Sequence, residues 1–357
     1  MEQALRDRLD RMFSPRSVAV IGAGAEPDRV GHAIMDSIVT GGFPGKIYPI
    51  HPRHKEILGL RVYRDLDELP EVPDLAVIAL NQHSTVSVAA RLRELGVAGA
   101  SLIAGGYAEM GQDGLTLQAQ LREAAGDMPV VGPNTLGFLN TRAKINVTFY
   151  PRTLVPGNVS FLSQSGGIGL ALKGRAEDEG LAIAKWIGVG NRVNLEFDTL
   201  LDYLKDDPDT RVIGIFTEGT SSPTRFVRQI AEVCRHKPVV VYKGGLGEDA
   251  DRITVTHTGA AAGQARAVAE ELVQPVGKPA GVAASAQVRG VDRAALGNPA
   301  GDRQRSTERG LVHAAVRVGA EGHRRRGRSL RSHDQRLRGP GVAAAEQDRV
   351  PGREAQA

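Results

Sequence analysis

A chain of 357 residues has room for about two domains, and its single cysteine, Cys234, excludes an internal disulfide framework and fits a reducing, cytoplasmic setting. No apolar run reaches the ~18 residues of a membrane span. The net charge of +4 is uneven: residues 1–263 hold 28 Lys and Arg against 31 Asp and Glu, and residues 264–357 hold 17 against 10. The basic excess belongs to the last quarter, so it gives the whole chain no nucleic-acid-binding character.

Leu5, Leu9 and Phe13 recur at i, i+4 among mixed charges, which predicts an amphipathic helix over 1–13 and not a signal peptide. Ser17–Ile21 is an apolar strand running into Gly22-Ala23-Gly24, and a helix follows over 30–40. Strand, glycine turn and helix open a βαβ unit. The strict nicotinamide fingerprint is broken, because Pro27 stands where its third glycine would fall. The second strand, 46–50, leads into His51-Pro52-Arg53-His54-Lys55, bases where a ribose-binding acid would stand. That loop suits a phosphorylated ribose or a pyrophosphate, and equally a solvated surface turn. Strands over 74–80, 99–103 and 129–131 alternate with helices over 84–95 and 115–125. The result is a five-stranded doubly wound unit, with glycine turns at 22–24, 104–106 and 132–137 on one rim.

A second unit begins near Gly157, with strands over 158–162, 184–188, 212–216 and 238–242. Helices fall over 163–179, 197–204 and 223–234. Ser163-Gln164-Ser165-Gly166-Gly167 opens the first of these helices, either as an anion site on free backbone N–H groups or as a plain capped helix. Glu218 follows a strand end, and His257 lies in the loop His257-Thr-Gly-Ala260. A carboxylate on that rim can orient an imidazole, whose nitrogen can carry a phosphoryl group. A lone histidine is also an ordinary surface or core residue, and the rest of the chain decides between them.

From Gln264 onward the composition changes abruptly. There is no Phe, Tyr, Trp, Ile or Met, and one Lys stands beside sixteen Arg. Little apolar surface is available to offset chain entropy, so disorder is expected, with a short helix near 265–272. We read this tail as an out-of-frame translation of a GC-rich gene.

Taken in order, these elements resemble the CoA-binding half of the ADP-forming acyl-CoA synthetases, relatives of the succinyl-CoA synthetase alpha subunit. The resemblance covers residues 13–263. It rests on Gly22-Ala-Gly24, Gly132-Pro-Asn-Thr-Leu-Gly137, Ser163-Gln-Ser-Gly-Gly167, Asp202-Tyr-Leu-Lys-Asp-Asp-Pro208, Thr217-Glu-Gly219, Lys237-Pro-Val-Val-Val241 and His257-Thr-Gly-Ala260.

The resemblance implies a Rossmann-like CoA-binding domain over 1–143, a flavodoxin-like ligase domain over 144–263 that lacks its end, and the tail over 264–357. It implies that acid, CoA and ATP give acyl-CoA, ADP and phosphate. His257 would be the phosphorylated residue and Glu218 the holder of its other nitrogen. Ser163, Ser165, Gly166 and Gly167 would receive the phosphoryl group. Gly22, Ala23, Gly24, Arg53, Lys55, Gly105, Gly106, Pro133 and Asn134 are the expected CoA-side residues. ATP, ADP and Mg would enter only through an ATP-grasp partner subunit or domain, and no resident metal, nucleic acid or membrane is expected. The alternative is a non-catalytic or truncated CoA-binding module.

Overall fold

Both sheets grow outward in two directions from one strand, which sets where each one can bind a ligand. The computed structural model describes residues 1–151, 155–244, 282–288 and 314–320, all within one compact unit, residues 1–321.

α1 (Gln3–Phe13) precedes β1 (Ser17–Ile21), a strand buried at every position. The chain continues through α2 (Val30–Thr40), β2 (Lys46–Ile50) and the small hairpin β3 (Glu56–Ile57) and β4 (Leu60–Arg61). Then come β5 (Leu75–Ile78), α3 (Gln82–Leu95), β6 (Gly99–Leu102), α4 (Gln112–Ala125) and β7 (Val130–Val131). The first sheet is parallel, in the order β2-β1-β5-β6-β7. Its strand order reverses between β1 and β5, the point at which open α/β sheets bind ligands.

β8 (Phe138–Asn140) and β9 (Ile145–Asn146) form a hairpin. β10 (Pro156–Ser163), α5 (Gly166–Asp178), β11 (Ile183–Gly188), α6 (Phe197–Asp206), β12 (Val212–Thr217), α7 (Pro223–Val233) and β13 (Val239–Lys243) follow. β13, β12, β10 and β11 run parallel in that spatial order, reversing between β10 and β12. β8 extends this sheet antiparallel beyond β11. The expected domain boundary at 143 therefore falls inside a hairpin whose two strands belong to the second sheet.

The tail differs from the expected unstructured chain in two places. β14 (Val282–Val288) and β15 (Ala314–Ala320) are antiparallel strands, and β15 pairs with β13. Neither run carries an aromatic or Ile that would announce a strand, and the open edge of β13 supplies the pairing groups. The helix expected at 265–272 lies outside the described residues, as does the rest of the tail.

One apolar core runs through both sheets. Leu9, Met12 and Phe13 of α1 share it with Val18, Val20, Phe138, Leu200 and Ile213. The Phe13 ring meets Phe138 edge-on at 4.9 Å and Tyr203 at 5.4 Å. Asp74 fixes α1 to the first sheet, accepting Arg11 Nε at 2.8 Å and the Arg16 N–H at 2.9 Å.

Two glycines set how closely α2 approaches β1. Gly22 has φ +86°, and a Cβ on it would lie 2.6 Å from the Ala79 carbonyl oxygen. A Cβ on Gly31 would lie 2.0 Å from the Gly22 oxygen. Gly31→Ala should therefore push α2 off the sheet and cost about 1–3 kcal/mol. Gly174→Ala, with open space around the added carbon, should stabilise by up to ~1 kcal/mol. Urea unfolding of both variants checks the pair, and an unaffected Gly31→Ala would contradict the packing.

Candidate functional site

The strand ends at the reversal of the first sheet open into a cleft of about 1040 Å³. Gly22, Ala23, Gly24 and Arg53, four of the expected CoA-side residues, line it. Arg29 precedes α2 and offers no side-chain cap, so the first amides of that helix meet the cleft without a competing side chain. Lys55 stands just outside the lining.

Gly105, Gly106, Pro133 and Asn134 follow β6 and β7, where a Cβ on Gly106 would lie 2.9 Å from Gln82, the neighbour of the cleft residue Asn81, and they belong to a polar network that the sequence did not disclose. The Gly106 N–H donates to Glu109 Oε1 at 2.6 Å. Asn191 Nδ2 donates to Glu109 Oε2 at 2.6 Å and to Gln118 Oε1 at 2.9 Å. Asn134 Nδ2 reaches Asn191 Oδ1 at 3.4 Å. A Cβ on Gly105 would crowd Glu109 and Asn134, at 3.0 and 3.3 Å. The Gly132–Pro133 peptide is cis. Its loop is laced to the end of β11: the Asn191 N–H donates to the Pro133 carbonyl at 2.9 Å, and the Val193 N–H to Gly132 at 3.0 Å. Thr135 Oγ1 donates to the Gly188 carbonyl. These bonds join the ligand-binding end of one sheet to that of the other.

The second sheet reverses between β10 and β12, and the expected phosphate residues stand there. Ser163 is buried, and its hydroxyl donates to the Ser165 carbonyl at 2.7 Å. Ser165 is the cap of α5, accepting the Ile168 N–H at 3.4 Å. Gly166 and Gly167 head the helix, and a Cβ on Gly167 would touch nothing. Backbone N–H groups at such a start have no partner within the helix and favour an anion. The structure thus gives Ser165 the capping role and leaves the open approach at Gly167.

Glu218 is held through its main chain. Gln164, a residue of the 163–167 motif with no expected role at the site, accepts at one oxygen from Glu218 N at 2.9 Å, Gly219 N at 3.2 Å and Thr217 Oγ1 at 3.2 Å. Lys243, at the end of β13 and 1% exposed, donates its ammonium to the carbonyls of Glu218 and Gly244. Burial pulls the pKa of Lys243 down to about 8, against the opposing pull of Glu218. A lysine after a strand looks solvent-exposed in sequence; here the pairing Thr217↔Lys243 carries it under the loop. His257 lies outside the described residues. Among the described residues no cluster of His, Cys, Asp and Glu could hold a metal ion, and no helix is long and apolar enough to cross a membrane.

Comparison with known proteins agrees with this division. Residues 16–141 match a family described as a CoA binding domain, and residues 156–278 one described as a succinyl-CoA ligase like flavodoxin domain. The second match runs past the composition break at 264. The chain is 37% identical to the alpha subunit of acetate–CoA ligase [ADP-forming] I of Pyrococcus furiosus over 261 residues, 71% of this chain and 56% of that one. It is 34% identical to the alpha subunit of isoform II from the same organism, again over 71% and 56%. A solved structure of the dinucleotide-forming acetyl-coenzyme A synthetase 1 of Ca. Korarchaeum cryptofilum, in complex with phosphate and ADP, superposes with a TM-score of 0.69 at 36% identity. That match covers 74% of this chain and 56% of the other. The chain spans about half the length of the curated relatives it matches.

The burial of Lys243 predicts a pH effect on stability. The folded chain binds this proton less tightly than the unfolded chain, whose lysine titrates near 10.5. Its contribution is therefore unfavourable below about 8 and is relieved as pH rises from about 8 to 10.5. Lys243→Met should flatten that rise in a series of urea unfolding curves. An identical pH dependence in both proteins would show that Lys243 is not the buried cation.

Proposed function

We propose that the chain, whose residues 16–141 and 156–278 match a CoA binding domain and a succinyl-CoA ligase like flavodoxin domain, is the CoA-binding half of an ADP-forming acyl-CoA synthetase, and that it binds CoA on its first sheet and carries a phosphoryl group on its second. The observation that supports this most is the pair of strand-to-helix turns, one at the reversal point of each sheet, joined by the bonds between loops 132–137 and 188–193. Two anion-binding helix starts held at fixed separation suit a reaction that moves a phosphoryl group and uses a phosphate-bearing thiol.

On this reading Gly22, Ala23 and Gly24 leave their backbone bare so that CoA phosphates approach the first amides of α2, and Arg53 adds charge. CoA supplies the thiol that attacks an acyl phosphate at its carbonyl carbon, releasing inorganic phosphate and forming the thioester. His257 accepts the phosphoryl group of ATP through one ring nitrogen and passes it to the carboxylate of a small acid, giving that acyl phosphate. Glu218 holds the other ring nitrogen and stabilises the cation that develops. The amides of Gly166 and Gly167 receive the phosphoryl oxygens. Gln164 and Lys243 fix the Glu218 main chain, so its carboxylate requires little reorganisation. ATP and Mg belong to an ATP-grasp partner subunit or domain. The tail composition favours a second reading, a CoA-binding module without turnover.

Calorimetry on the full chain should show CoA binding more tightly than NAD, and the reverse order would sink the CoA assignment. With ATP, Mg and a matched ATP-grasp partner, the chain should gain an acid-labile, alkali-stable phosphoryl label. His257→Ala should lose it, and Glu218→Gln should slow it about 10- to 1000-fold. Label that survives His257→Ala would reject His257 as carrier, and a native chain that takes none would support the module reading.

A further inference from the structure

At the edge of the CoA cleft stands a pair of histidines that this reading leaves without a task, His51 in the lining and His54 beside it. His51 and His54 stand in the turn after β2 with ring centroids 4.2 Å apart. His51 Nδ1 accepts the backbone N–H of Arg53 at 3.2 Å and that of His54 at 3.4 Å. A proton on Nδ1 would remove both bonds. Burial, and then the neighbouring His54 and Arg53, lower the pKa of His51 as well. The turn is therefore built around a neutral His51 with its hydrogen on Nε2.

His54 has no such constraint. Its Nε2 lies 3.8 Å from Glu26 Oε1, and its ring is 28% exposed, open to exchange with solvent. The charged groups that line the cleft come from three segments. Glu26, Asp28 and Arg29 stand on the β1–α2 connection, Arg53 on the same turn, and Arg64 and Asp65 beyond β4. The two signs are equal in number, so these six side chains together add no net charge to that of the helix amides.

We propose that His54 supplies the missing positive charge, taking up one proton from solvent when a phosphate-bearing ligand enters between Glu26 and the 51–54 turn. The inference rests on the cleft being a CoA site. The added proton comes from the buffer and occupies the free ring nitrogen, and no bond within the chain is broken. Phosphate oxygens replace Glu26 as the partner of the ring. An anion within a few ångströms favours the imidazolium form, and N⁺–H···O⁻ bonds are among the stronger ones. Imidazole is the side chain suited to this, because it changes charge between pH 5 and 8.

Full-length native chain and His54→Gln are titrated calorimetrically with CoA in two buffers of equal pH and different ionisation heat. A phosphate monoester also titrates near pH ~6, so the difference between the two proteins is the readout. The native chain should take up a larger fraction of a proton per CoA. His54→Gln should weaken binding about three- to tenfold at pH ~6.5 and by less than twofold at pH ~8.5. Glu26→Gln removes the standing partner of His54 and should increase the uptake. Equal uptake in native and His54→Gln chains, or uptake indifferent to Glu26→Gln, overturns the role of His54 while CoA binding stands. An absence of CoA binding at any pH overturns the CoA reading and this inference with it.

Discussion

Each half of the molecule depends on a helix brought close to its sheet by a glycine in the helix's opening turn. In the first half Gly31, in the opening turn of α2, sits where a single added carbon would lie 2.0 Å from the Gly22 carbonyl oxygen. In the second, Gly169 in the opening turn of α5 sits where that carbon would lie 2.5 Å from the Trp186 ring and 3.0 Å from Ser163 Oγ. Such contacts aim helix amides at the space beyond the strand, where an anion is stabilised by the N–H groups and the helix dipole together. The remaining architecture keeps these two helix starts in place. β1 and β10 are each the strand from which their sheet grows in both directions, so each start stands at the reversal point of its sheet.

The two crevices are not left to independent motion. Loop 132–137 ends the first sheet and loop 188–193 ends β11 of the second, and backbone bonds join them. At the opposite side α1 ties the halves. Asp74 holds its end on the first sheet, the Met1 amino group reaches Asp202 of α6 at 2.7 Å, and Phe13 packs against Phe138 and Tyr203. Positional accuracy of this kind matters for group transfer, where a misplacement of about 1 Å carries a large loss of rate.

Much of this frame is legible in the sequence. The strands at 17–21 and 46–50 and the helices at 30–40 and 197–206 stand where apolar runs and periodicity place them. The glycine turns mark both crevices. Short elements are not legible: β3, β4, β8 and β9 have two or three residues each, too few for any period to show. The polar network is hidden for another reason. Glu109, Gln118 and Asn191 are far apart in the chain and ordinary in type, and only the fold brings them together. Gln164 is a letter of the Ser163–Gly167 motif and Lys243 directly follows the strand at 238–242, but their roles depend on the register that sets β12 between β10 and β13. His257, the residue most informative in sequence, lies outside the described residues.

Two separate anion sites on one joined rim form the central claim, and amide chemical shifts read them directly. Labelled full-length chain is titrated in turn with CoA and with inorganic phosphate. The account predicts that CoA moves the amides of residues 22–31 and 51–54, and that phosphate alone moves those of 165–168. The two footprints should be largely distinct. A single footprint shared by both ligands, or shifts from CoA confined to the second sheet, would contradict it.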